Sequence, residues 1–305
     1  MTNTEQRPFA VVTGGNQGIG YELAAQFALN GHDVLISAHG DGLDEAAKQL
    51  AEHGTTITTA RADLTEYDGV EQLYAAIRDA GRPVDAIALN AGLGLGGHFV
   101  GGTRLEDELR LIALNVTSTV HLAKRVATDM VERGAGRILI VSSISGTTPT
   151  PFEAVYGGTK AFGLSFAEAI RNELAEHGVG VTALLPAQTR TNFFHRGDMD
   201  DTAIGAGDKN DPTEVARQGY EALMAGKDKV VGGDISAQIK GNVTNKILTE
   251  EQKANAHHKL ARPGSADASD AERCPSEIAR AIARTATACS PTDILSMINH
   301  CESAT

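Results

Sequence analysis

The sequence predicts an α/β fold, a doubly wound parallel sheet with a helical extension towards its C-terminal end. Three observations lead there: short apolar, β-branched runs; longer helical stretches between them; and steady alternation of the two. Runs that are apolar throughout suit strands covered on both faces. The chain has 305 residues, 41% of them hydrophobic, which supplies a sizeable core and excludes wholesale disorder.

Taken in order, residues 9–13, 34–37, 56–60, 84–90, 137–143 and 179–185 read as strands, with a further one at 229–232. Helical patterns fill residues 19–30, 43–53, 69–80, 105–133 and 156–177. Thr103 followed by Glu106 predicts a capping box opening the fourth of these. Asp211-Pro212-Thr213-Glu214 opens another helix, with proline at its first position. Residues 192–211, acidic and glycine-bearing, read as a mobile loop, and 263–272 as a linker. The expected organisation is a dinucleotide-binding and catalytic domain over 1–262, then linker and helical extension over 263–305. Short helices are expected within 275–300, either packed on the core or serving as an oligomerisation arm.

Lys and Arg number 27 against 39 Asp and Glu, a formal net charge of −12. That balance repels nucleic-acid phosphates and anionic lipid, so neither is an expected partner. Aromatic residues are 4% and tryptophan is absent, which argues against base-stacking platforms. Cys274, Cys289 and Cys301 are an odd set confined to the tail and give no disulfide framework. The N-terminal stretch is polar, and no apolar run approaches the roughly 18 residues of a membrane helix. A cytoplasmic location is expected, and no metal site.

Chemistry enters with the first strand, which runs into Thr13-Gly14-Gly15-Asn16-Gln17-Gly18-Ile19-Gly20 and then a helix. Glycines there let a pyrophosphate approach the backbone with no Cβ in the way, and the helix N-terminus offers free N–H groups. A tight glycine turn alone would read the same. The second constellation is Ser143, Tyr156 and Lys160. Tyr and Lys four apart share one helix face, where an ammonium lowers a phenol's pKa from about 10. Ser143 ends a strand, the edge at which open α/β sheets bind ligands, and its hydroxyl suits polarising a carbonyl. Separately each residue is bland; together they specify proton transfer.

These motifs resemble the short-chain dehydrogenase/reductase family in its single-domain, Rossmann-type form, over residues 8 to 232. Residues 13–20 match the family's cofactor loop, implying Gly14, Asn16, Gln17, Gly18, Ile19 and Gly20 as cofactor contacts. Asp63-Leu64 matches the pair that meets the adenine, and Asn90-Ala91-Gly92 the element ending the fourth strand. Asn115 stands where the family holds a proton-relay water. In family terms Tyr156 is the acid/base, Lys160 lowers its pKa and binds the nicotinamide ribose, and Ser143 orients the carbonyl. Pro186, Thr189 and Thr191 fall in the segment that borders the nicotinamide, although Ala187 replaces the usual glycine.

An acid about 20 positions past the glycine motif would select NAD. The second strand instead ends Ser37-Ala38-His39, and His39, unless merely solvated, suits a 2′-phosphate. The cofactor expected is NADP(H) over NAD(H), and the substrate a small carbonyl compound or secondary alcohol. The alternatives are a 3-oxoacyl-thioester reductase and a non-catalytic nucleotide-sensing module. The resemblance also implies a homodimer or homotetramer formed through the helices at 105–133 and 156–177.

Overall fold

The computed structural model describes residues 7–239, 241–242 and 247–266; the tail helices and the three cysteines of the sequence reading lie outside them. Seven parallel strands form one sheet in the order β3-β2-β1-β4-β5-β6-β7. They are β1 (Phe9–Thr13), β2 (Asp33–Ala38), β3 (Ile57–Arg61), β4 (Ala86–Leu89), β5 (Gly136–Val141), β6 (Val179–Pro186) and β7 (Lys229–Gly232). The doubly wound parallel sheet is therefore as the sequence predicts, with each strand end within two residues of its expected place.

Two apolar layers cover the sheet. On one face lie α3 (Tyr67–Asp79), α5 (Ser118–Arg133) and α6 (Ala154–Ala175), contributing Leu73, Ile77, Leu122, Val126 and Ala167. On the other lie α1 (Gly18–Leu29), α2 (Leu43–Ala51) and α9 (Pro212–Met224), contributing Leu23, Phe27, Leu50, Val215 and Leu223. The strand order reverses between β1 and β4, so connections leave these neighbours in opposite directions and open a crevice at their carboxyl ends.

Three expectations need correction. The helix read over 105–133 is broken: α4 (Leu105–Ile112) is joined to α5 through a π turn, Ala113–Thr117, that buries Asn115. Thr103 does not cap α4; Arg104 is its N-cap residue without a side-chain bond, and the Thr103 hydroxyl donates to Glu108 Oε1 at 2.8 Å. Residues 192–211 are not all loop. They hold two short helices, α7 (Phe193–Arg196) and α8 (Ala203–Ala206), and Phe194, Met199 and Ile204 bury a small cluster of their own. Residues 235–261 further hold α10 (Ile235–Ile239) and α11 (Glu250–Ala261), for which local sequence patterns give no expectation. α11 opens on a capping box between Thr249 and Gln252, and its Ala261 packs into the same small cluster. The helix expected at Asp211 forms as α9, the Asp211 carboxylate accepting from Thr213 N at 3.1 Å.

Phe27 is fully buried and meets Tyr220 of α9 edge-on, with centroids 5.3 Å apart. Phe27→Ala is expected to cost about 3–5 kcal/mol, read as a lowered urea midpoint with little change in slope.

Candidate active site

The crevice is built from strand ends. Thr13, the last residue of β1, ties that strand to the segment after β4: its hydroxyl oxygen accepts from Asn90 N and Ala91 N, both at 2.9 Å. Asn90 Nδ2 returns a bond to Thr13 O at 2.9 Å. Close packing at this junction leaves no room for side chains on the glycine turn. A Cβ on Gly20 would lie 2.1 Å from Gly14 O, and Gly14 itself has φ +68°. The N-cap of α1, Gln17, makes no side-chain cap, so the first-turn amides of Gly18, Ile19 and Gly20 are left to a ligand in the crevice. A bare cradle and an uncapped helix N-terminus together fit a dinucleotide pyrophosphate.

At one end stand His39, exposed at 64%, and Asp63, with Nδ1 and Oδ2 3.7 Å apart. Burial pushes the Asp63 carboxyl up, but two hydrogen bonds from Thr65 and the charges of His39 and Arg110 outweigh it and hold it below its usual range. Arg110 and Leu64 line this end too, and no acid lines it at the end of β2.

At the other end are the ends of β5 and β6 and the first turns of α6. Ser143 leads into a short 3₁₀ turn (Ile144–Thr147), its Oγ accepting from Ser145 N at 3.1 Å. Ser143, Tyr156 and Lys160 are all buried. Lys160 Nζ lies 5.8 Å from the Tyr156 ring centre and donates to Val141 O at 3.1 Å. Helix spacing alone predicts that the lysine pulls the phenol down; in this structure desolvation wins. Burial pushes the Tyr156 phenol above its ordinary value, the Ser143 hydrogen bond opposes this, and the Glu153 charge adds to it. Burial likewise brings the Lys160 ammonium down to about 8.

All the expected site residues line this one cleft except Asn115, which stands behind it. The Asn115 carboxamide accepts from Leu93 N at 2.9 Å, and donates to Leu93 O and Thr159 Oγ1, both at 3.0 Å. It thereby pins the segment after Gly92 to α6. Pro186 and Thr189 lie on the β6 side, the Thr189 hydroxyl donating to Ala187 O at 2.7 Å. Thr191 faces Gly18 across the cleft, its Cγ2 3.0 Å from where a Gly18 Cβ would stand. Phe193 reaches the Tyr156 ring, centroids 5.1 Å apart. Sequence reasoning missed Glu153, Arg110 and His257, which also line the cleft. The Thr249-x-x-Gln252 pattern is the sequence feature that could have placed a helix around His257.

A family model described as short chain dehydrogenase matches residues 8–201. The chain belongs to this family. A solved short-chain dehydrogenase from Sphingobium yanoikuyae in complex with NADPH is 31% identical, with a TM-score of 0.69 over 73% of this chain and 87% of that one. The bulky-bulky ketone specific alcohol dehydrogenase from Comamonas testosteroni is 30% identical, with a TM-score of 0.65 over 74% and 86%. The very-long-chain 3-oxoacyl-CoA reductase of Bos taurus is 34% identical over 190 residues, 61% of this chain and 60% of that relative's length. This short-chain dehydrogenase is thus an oxidoreductase with a nicotinamide-binding fold, and α11 lies beyond the family-matched residues.

Gly20→Ala forces its methyl against the Gly14 carbonyl. Nicotinamide-dinucleotide affinity is expected to fall at least about tenfold, measured by fluorescence titration, while the unchanged residues of the sheet keep the far-UV spectrum native.

Proposed function

We propose that this enzyme is an NADP(H)-preferring carbonyl reductase, interconverting ketones and secondary alcohols with Tyr156 as proton donor and acceptor. The observation that carries this reading is the shared burial of Ser143, Tyr156 and Lys160 at the strand-end side of the glycine-lined cleft. Residues 14–20, 63–64, 90–92 and 186–191 would hold the nicotinamide cofactor, whose chemistry when bound is hydride transfer to or from the carbonyl carbon. Ser143 donates a hydrogen bond to the carbonyl oxygen as it gains charge, and Tyr156 delivers the proton that completes the alcohol. A phenol pushed up by burial holds its proton through neutral pH, which suits the reductive direction. Lys160, cationic below about pH 8, opposes charge developing on the phenol oxygen and binds the ribose hydroxyls. Asn115 acts through the Leu93 backbone and Thr159 as a positioning residue.

The preference for NADP(H) is supported by His39 standing where an NAD-selecting acid would be, with Arg110 at the same end of the cleft. The NADPH bound in the Sphingobium yanoikuyae relative supports it further. Leu105, Leu109 and Phe162 are exposed on the two helices through which a homo-oligomer is expected, which supports a dimer or tetramer built there. A 3-oxoacyl-thioester reductase is the second reading, favoured by the similarity to the bovine enzyme.

Parallel titrations should give tighter binding of NADPH than of NADH; the reverse order would overturn the role given to His39. Tyr156→Phe should lower turnover by about a hundred- to ten-thousand-fold and leave NADPH affinity within a few-fold. Because Lys160 loses its proton as pH rises through about 8, NADPH affinity is expected to weaken across that range. Lys160→Met should flatten that dependence, measured as dissociation constants between mildly acidic and alkaline buffers.

A further inference from the structure

The cleft holds a polar pair that the proposed chemistry does not use. Glu153, three residues before Tyr156, is 3% exposed yet carries a carboxylate. A carboxylate withdrawn from water needs a partner. Its partner comes from 104 residues later: His257 Nε2 lies 2.8 Å from Glu153 Oε2. An ionised carboxylate only accepts, so the proton of this bond sits on Nε2 and the other ring nitrogen is released for a ligand. His257 Nδ1 has no protein partner among the described residues, and both side chains line the cleft that holds Tyr156.

The pair is held from both sides. Phe152, immediately before Glu153, sits at φ +68°, unusual for a side chain of its size. That backbone is fixed by Gly97 N donating to Phe152 O at 2.8 Å, and its ring meets His98 and His258 at 5.0 and 4.8 Å. α11 is anchored by Lys253, buried, whose ammonium donates to Thr147 O at 3.3 Å. Phe193, Phe194 and Ile204 line the same cleft. A single unsatisfied imidazole nitrogen in a ligand cleft is a discriminating feature, since a ligand that leaves it unpaired forfeits a hydrogen bond.

We propose that Glu153 and His257 form a substrate-recognition pair that selects carbonyl compounds bearing a second oxygen function, such as an oxoacid, an oxoester or a hydroxyketone. His257 Nδ1 accepts from that second oxygen where it is a hydroxyl and the ring is neutral, and donates to it where it is a carboxylate or ester oxygen and the ring carries a second proton opposite Glu153. Ser143 and Tyr156 meet the carbonyl, and Glu153 is a positioning residue that fixes the imidazole. This assignment rests on the carbonyl-reductase reading. It places substrate choice on a helix outside the residues matched by the family.

The test uses the full chain with NADPH and four small ketones: methyl propyl ketone, hydroxyacetone, acetoacetate and ethyl acetoacetate. Wild type is expected to favour at least one oxygenated substrate over methyl propyl ketone by about tenfold or more in kcat/KM. His257→Ala should bring that preference to within about threefold while leaving methyl propyl ketone turnover and NADPH affinity nearly unchanged. Should that variant fold poorly, the double variant Glu153→Gln with His257→Phe fills the space without the free nitrogen and is expected to lose the same preference. The oxoester and hydroxyketone arms separate a hydrogen-bond-accepting second oxygen from a donating one. An equal fall on all four ketones would mark the pair as merely structural and overturn the proposal, as would an unchanged preference. Equal turnover of all four by wild type would overturn this inference alone, whereas turnover of none would overturn the carbonyl-reductase reading with it.

Discussion

Everything in this molecule that handles ligands depends on how closely β1 and the segment after β4 approach one another. One threonine hydroxyl accepts two backbone N–H groups there, and one asparagine amide returns the bond to the strand. The approach is so tight that Gly20 has the carbonyl of Gly14 where its own Cβ would be. Glycine is thus dictated by the junction itself, before any phosphate arrives. The reversal of strand order at the same place opens the crevice, so one contact both shapes the turn and locates the site.

Burial then sets the character of the two ends of the cleft. At the solvent-facing end, hydrogen bonds and neighbouring charges outweigh desolvation and hold the Asp63 carboxyl below its usual range. At the inner end desolvation dominates: it drives the Tyr156 phenol up and the Lys160 ammonium down. A polar, charged entrance and a dry interior suit a long anionic ligand whose reactive ring is buried.

The sheet and the glycine turn were legible in the sequence because local chemistry decides them. Apolar strand runs and the Gly14–Gly20 spacing carry their own explanation. What was not legible depended on contacts between distant segments. The π turn around Asn115 forms where the residue bonds Leu93 and Thr159, neither of which is near it in the chain. Thr103 looked like a cap, but Glu108 offered its hydroxyl a better partner than the backbone did. The glycine-bearing stretch after β6 looked open because its apolar residues are sparse; Phe194, Met199 and Ile204 find their cover in Ala261, on a helix far downstream. The lowering of the Tyr156 phenol by Lys160 follows from helix spacing alone, and spacing says nothing about how dry both groups become. His257 is invisible to any local pattern, since its meaning lies in a carboxylate 104 residues away.

The π turn also has a geometric consequence. A helix advances about 100° for each residue, so the extra residue accommodated at Ala113–Thr117 resets the angular phase between α4 and α5. With that offset Leu111 and Asn115 face inward in line with Leu122, Val126 and Met130, while Leu105 and Leu109 look out to solvent. Removing any one residue from the turn would restore a uniform helix and rotate the first half against the second by that angle. The outward leucines and the inward amide are therefore indexed to each other: a molecule that loses its gear tooth here loses the external apolar strip and the inner anchor in a single step.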